Sequence, residues 1–124
     1  MQNYNSKFKS DIKLRCYKFS LAIIGFIETL PNKRACWIIA DQLLRSAMSI
    51  GANLIEGSAA SSRLEYKKFY EISLKSANET KYWLSLLRDS GFANQVRAEE
   101  LIKEVTELAN MLAAGVIKLK RKNF

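Results

Sequence analysis

The sequence predicts an all-α protein, an antiparallel up-down-up-down four-helix bundle formed by a single domain over residues 1–124. Three observations predict it. Apolar residues recur at steps of three and four along four long segments, the period of a helix with one buried face. Stop signals separate those segments. One proline and five glycines leave little material for turns, and no stretch alternates apolar and polar residues as a half-buried strand would. A domain of 124 residues is long enough to bury a core without disulfides or a structural metal.

The first helix is predicted from Ser10 or Asp11, which cap well, to Leu30, where Pro31 and Asn32 stop it. Its seam is Ile12, Cys16, Phe19, Ile23, Phe26 and Leu30. The second runs from about Arg34 to Glu56, with Gly57 read as the C-terminal stop and residues 58–62 as a loop. Trp37, Ala40, Leu44, Ala47, Met48, Gly51, Leu54 and Ile55 lie on one side of it, with Ile39, Leu43 and Ile50 beside them. One seam does not use both rows, so helices one and two are expected to carry surplus apolar surface for a homo-oligomeric contact. The third helix starts near Ser62 with Glu65 in a capping-box position, carries Phe69, Ile72, Ser76, Thr80, Trp83 and Leu87, and stops at Ser90-Gly91. The fourth opens near Asn94, buries Ala98, Leu101, Val105, Leu108, Leu112, Gly115 and Leu119, and closes on Lys118, Lys120, Arg121 and Lys122, the order the helix dipole favours.

Histidine is absent, which removes the commonest general base and the commonest transition-metal ligand. No Gly-rich phosphate loop, cysteine cluster or Glu-x-x-His motif is present, so no enzymatic activity, no cofactor and no metal are expected. A hydrolase relying on carboxylates alone is the remaining catalytic option. Cys16 and Cys36 fall on adjacent antiparallel helices; a bend near Pro31 sets Cys16 level with Arg45, roughly 15 Å from Cys36 at 1.5 Å per residue, too far for a disulfide. Free thiols, a polar stretch at 1–10 and no apolar run approaching the ~18 residues of a membrane span predict a cytoplasmic protein without membrane association.

The net charge is +8, which favours an anionic partner. Antiparallel topology brings the start of the first helix, the loop between the second and third, and the end of the fourth to one pole. Lys7, Lys9, Lys13, Arg15, Arg63, Lys67, Lys68, Lys118, Lys120, Arg121 and Lys122 fall there against Asp11, Glu56 and Glu65, so the whole net charge collects at that end. Of these, Lys7, Lys9, Lys13, Arg63, Lys67, Lys68, Lys118, Lys120 and Arg121 are the expected nucleic-acid contacts, acting through phosphates and counterion release. The same residues also complement helix ends and aid solubility, and both readings stand. Tyr4, Phe8 and Phe124 are the aromatic side chains expected near this pole.

On the second helix Gln42, Arg45, Ser49, Asn53 and Glu56 share a face. Two readings fit: a solvated strip, or a polar network in which a half-buried Arg45 pairs with Glu79 or Glu56 and Asn53 bonds between helices.

The run from Leu44 to Gly57, LRSAMSIGANLIEG, resembles the signature of the bacterial four helix bundle protein family, which includes proteins encoded in intervening sequences of large-subunit ribosomal RNA genes. The accessory variability determinant of diversity-generating retroelements is related to it. A second block, Tyr66 to Gly91 with its ETKYWLSLL run, is similar to the next part of the family pattern. The resemblance implies a four-helix bundle assembled as a homopentameric ring, without catalytic activity, and for the retroelement relative association with nucleic acid and a reverse transcriptase. It also implies that Arg45, Ser49, Asn53, Glu56 and Glu79 are a structural signature. The chain departs from the pattern at Leu14-Arg15-Cys16-Tyr17, where many members have tryptophan, and at Gly51, where many have proline. The expectation is a non-enzymatic homo-oligomeric adaptor that binds RNA or DNA backbone without reading sequence. The alternative is a protein-interaction module that recruits a protein partner.

Overall fold

The computed structural model describes residues 11–121, Asp11 by its backbone alone. Four helices form: α1 (Asp11–Ile27), α2 (Arg34–Ser58), α3 (Arg63–Asp89) and α4 (Gln95–Arg121), with no strand among the described residues. Cross-helix pairs set their directions. Ser46 meets Thr80 and Ile50 meets Ser73, so positions rise along α2 as they fall along α3. Lys13 with Ser58 and Cys16 with Gly51 do the same for α1 and α2, and Tyr70 with Gly115 and Arg88 with Glu99 for α3 and α4. Contact of α1 with α4 closes the square, giving the expected all-α four-helix bundle.

Two predicted ends move. α1 stops at Ile27, three residues before the predicted Leu30. Thr29 and Leu30 donate their backbone N–H to Phe26 and Ile27 at 3.0 and 3.1 Å, and the Thr29 hydroxyl donates to the Phe26 carbonyl at 2.6 Å. The last turn thus tightens to i→i+3 bonds, and the backbone is already out of helix before the proline restricts it. α2 runs on through Gly57 to Ser58. Gly57 is buried and does not have positive φ; a Cβ there would stand 2.9 Å from the Cβ of Phe69 on α3. Glycine is needed for close helix approach and not as a stop.

The remaining caps agree with the sequence. The Ser62 hydroxyl accepts from the Glu65 N–H at 3.1 Å, and the Glu65 carboxylate accepts from the Ser61 N–H at 2.8 Å, one residue earlier than the standard box. Gly91 ends the α3 turn at φ +82°, the left-handed conformation glycine tolerates, and the Asn94 side chain accepts from the Arg97 N–H at 2.8 Å to start α4.

One core joins all four helices, with Ile12, Cys16, Phe19, Ile23 and Phe26 of α1 and Ala98, Leu101, Val105, Leu108 and Leu112 of α4 buried as predicted. On α2 and α3 the seam is rotated from the expected one. Cys36, Ala40, Leu43, Ala47, Ile50 and Leu54 face inward on α2, while Trp37, Met48 and Ile55 are exposed. On α3 the buried row is Ser73, Ser76, Ala77, Thr80, Leu84 and Leu87, and Ile72 is exposed. Small and hydroxyl residues occupy the tightest contacts because they let two backbones approach, so the bulkiest side chains are displaced from the α2–α3 seam. Cys16 packs beside Gly51 and not level with Arg45. The connection 28–33 is not a tight bend at Pro31, so α2 is shifted along α1 by six residues, about 9 Å. Both cysteines are buried and free.

Candidate nucleic-acid interface

The predicted pole exists as a place in the fold. Lys13 of α1, Gly57 and Ser58 of α2, Ala60, Ser61, Ser62, Arg63 and Tyr66 around the start of α3, and Leu119 of α4 line one open recess of about 500 Å³. The Lys13 ammonium donates to the Ser58 hydroxyl, tying α1 to the end of α2. Lys118, Lys120 and Arg121 are exposed on the same last turns of α4 that carry Leu119. Lys7 and Lys9 lie outside the described residues.

Not every predicted cation is available to a ligand. Lys67, one of the expected nucleic-acid contacts, has a side chain only 18% exposed, and its ammonium lies 3.4 Å from the Glu71 carboxylate one turn on. Lys68, the next residue along and about 100° around the helix, lines a second recess of about 400 Å³ on the flank of α3 with Leu64, Phe69 and Ile72. Arg15, counted with the pole from sequence, is held between Glu104 and Glu107 of α4, each at 2.8 Å. The hydrogen bond to Glu104, then that to Glu107, pushes its pKa above the ordinary arginine value. These two carboxylates come from a helix far along the chain, so their approach is invisible to a count along the sequence.

The α2–α3 seam resolves the polar stripe. The Arg45 guanidinium donates to the Gln42 side chain at 2.8 Å and to Glu79, and the Trp83 indole N–H donates to the same Glu79 oxygen at 2.9 Å. Burial works to raise the Glu79 pKa, but the Trp83 and Arg45 hydrogen bonds outweigh it and hold the carboxyl below its ordinary value. The network reading is therefore right about Arg45 and Glu79, with two corrections. Arg45 is 55% exposed, not half-buried, because it lies across the outside of the seam. Asn53 bonds within its own helix, donating to the Ser49 carbonyl at 2.8 Å and hydroxyl at 2.9 Å. The bonds that cross between helices are made by hydroxyls: Ser76 to Ser49 at 2.9 Å, Thr80 to Ser46 at 2.8 Å and Ser73 to the Ile50 carbonyl at 2.7 Å. Glu56 is exposed. Ser46 and Ser73 escaped the sequence reading, although Ser46, Ser49, Asn53 and Ser73, Ser76, Thr80 follow helical steps.

Tyr66 is the other residue the sequence reading missed at the pole. Its three-residue offset from Arg63 was the available signal, since that spacing puts both on one face. Leu21 and Ile24 of α1 and Trp37, Met48 and Ile55 of α2 are exposed apolar side chains that the buried core does not use. Among the described residues no cluster of histidine, cysteine, aspartate or glutamate can hold a metal ion, and no helix is long and apolar enough to cross a membrane.

The model of the family described as 23S rRNA-intervening sequence protein matches residues 9–114. A crystal structure of a protein of unknown function from the S23 ribosomal protein family of Bacteroides thetaiotaomicron is similar, with a TM-score of 0.79 and 32% identity, covering 85% of this chain and 97% of that one. No curated protein matches.

Proposed function

This chain belongs to the 23S rRNA-intervening sequence protein family, and we propose that it is a non-enzymatic, cytoplasmic, homo-oligomeric adaptor that binds RNA or DNA backbone through its basic pole. One observation carries the reading: Lys13, Arg63 and Leu119, from α1, α3 and α4, line the same recess, so cations distant in sequence face one ligand-sized space. The rim cations Lys118, Lys120 and Arg121 extend that surface. Their contacts go to phosphate, which gives affinity without sequence preference.

Oligomerisation multiplies the pole. The exposed apolar side chains of Leu21, Ile24, Trp37, Met48 and Ile55 support self-association, and the family resemblance implies five copies in a ring. Several weak cationic ends held on one ring engage a polyanion together and gain avidity that one bundle lacks. The same exposed side chains also support the second reading, a module that recruits a protein partner such as a reverse transcriptase, with the charge serving solubility.

Salt separates the two. A complex making about six phosphate contacts loses on the order of a thousandfold in affinity between roughly 50 and 200 mM salt, whereas apolar association does not. Lys118→Glu with Arg121→Glu should weaken RNA and DNA of every sequence alike, without shifting the melting curve. No binding to any nucleic acid at low salt, with the oligomer intact, would favour the protein-recruiting module.

A further inference from the structure

The recess at the pole differs in kind from the charged rim around it. Its described lining holds two cations, Lys13 and Arg63, the side chains of Ser58, Ser61 and Ser62, and no carboxylate. Glu65, two residues on from Arg63, is engaged by the Ser61 N–H at 2.8 Å. It also holds an aromatic ring. Tyr66 is braced edge-on against Tyr70, with centroids 5.2 Å apart and planes at 79°. It is limited on another side by α2, where a Cβ on Gly57 would come within 3.2 Å of its Cδ1. The ring is therefore held in place before any ligand arrives, and Leu119 faces the same space from α4. About 500 Å³ falls within the roughly 300–1,000 Å³ of clefts that take small organic ligands.

Two cations beside a braced aromatic ring match one half of a nucleotide each. We propose that this recess takes an unpaired nucleotide of a single-stranded nucleic acid, its phosphate between Lys13 and Arg63 and its base against Tyr66 and Leu119. The inference rests on the nucleic-acid reading above and adds a selectivity to it. A duplex offers phosphates to the rim, but its bases are stacked and do not enter; a single strand offers both. The protein then prefers unpaired over paired nucleic acid while remaining indifferent to base identity, since every base has a π-face.

The test is fluorescence anisotropy at low salt with a labelled oligouridine of about 15 nucleotides and a labelled DNA duplex of similar length. Wild type should bind the single strand about tenfold tighter than the duplex, the scale of one base–aromatic stack. Tyr66→Leu should abolish that difference and leave duplex affinity unchanged, and Tyr66→Phe should keep it. Because Tyr66 packs on Tyr70, a circular dichroism melt accompanies each variant, and Leu119→Ser, in the last turn of α4, lowers single-strand affinity by several-fold without touching that stack. Equal affinity of wild type for strand and duplex, or a Tyr66→Leu variant that loses both equally, overturns the inference and leaves the basic-pole reading standing. Absence of binding to both probes overturns the two together.

Discussion

The α carbon of Gly57 on α2 faces the side chain of Phe69 on α3 so closely that a Cβ at 57 would stand 2.9 Å from the Phe69 Cβ. The clash is with an atom fixed to the α3 backbone, so rotamer changes do not relieve it. In an open helix Gly→Ala would stabilise by about 0.5–1 kcal/mol. Here overpacking wins, and Gly57→Ala should destabilise by about 1–3 kcal/mol. Chemical denaturation of the pair decides the sign; a more stable variant would mean that α2 and α3 separate freely.

Arg45→Ala should cost about 1 kcal/mol or less. The guanidinium is more than half exposed, and exposed ion pairs contribute little. Glu79 retains the Trp83 indole when Arg45 is lost. The folded Glu79 pKa is lowered, so its stabilisation is present above the ordinary value of 4.5 and is lost as pH falls through the folded value. The difference between wild type and Arg45→Ala should accordingly shrink in acid. Thermal melts over that range check both statements; a loss of several kcal/mol at neutral pH would show the pair to be buried in the assembled protein.

Alkaline pH should unfold the bundle through its buried acids. Burial, with Glu104 adding to it, pushes the Cys16 thiol from 9.0 up to about 12. Burial first and then Tyr66 push Tyr70 from 10.0 up to about 12. Both groups stay protonated in the fold while the unfolded chain ionises. Their stabilisation is complete below pH 9 and is lost as pH rises from 9 towards 12. The melting temperature should fall across that window, and Cys16→Ala should make the fall shallower. For the same reason the native thiol should resist alkylation at pH 7.

Self-association should depend on the exposed apolar side chains of α1 and α2. Trp37 is 56% and Met48 44% exposed, and neither fills the core. Trp37→Glu with Met48→Glu should convert an oligomer into monomers of unchanged helicity, read by light scattering and circular dichroism together. A wild-type chain that is monomeric at micromolar concentration would remove the basis for the ring.

Local rules carried most of the fold and part of the site. The period of Ile12, Cys16, Phe19 and Ile23, the caps at Ser62 and Asn94 and the left-handed turn at Gly91 depend on residues a few positions apart, and their physics is complete within one helix. The gathering of Lys13 and Arg63 at one pole was also legible, because alternating direction and short connections are enough to set it. What lay beyond the sequence depends on rotation and axial shift between helices. A shift of six residues between α1 and α2 sets Cys16 against Gly51, and a small rotation turns Trp37 and Met48 outward while Ser46 and Ser73 turn in. The same packing brings Glu104 and Glu107 onto Arg15 and sets Tyr66 into the recess. Which of two apolar rows is buried, and which cations keep their charge free, is decided by how closely the backbones approach. That distance is set by glycines and hydroxyls on both helices at once and by neither sequence segment alone.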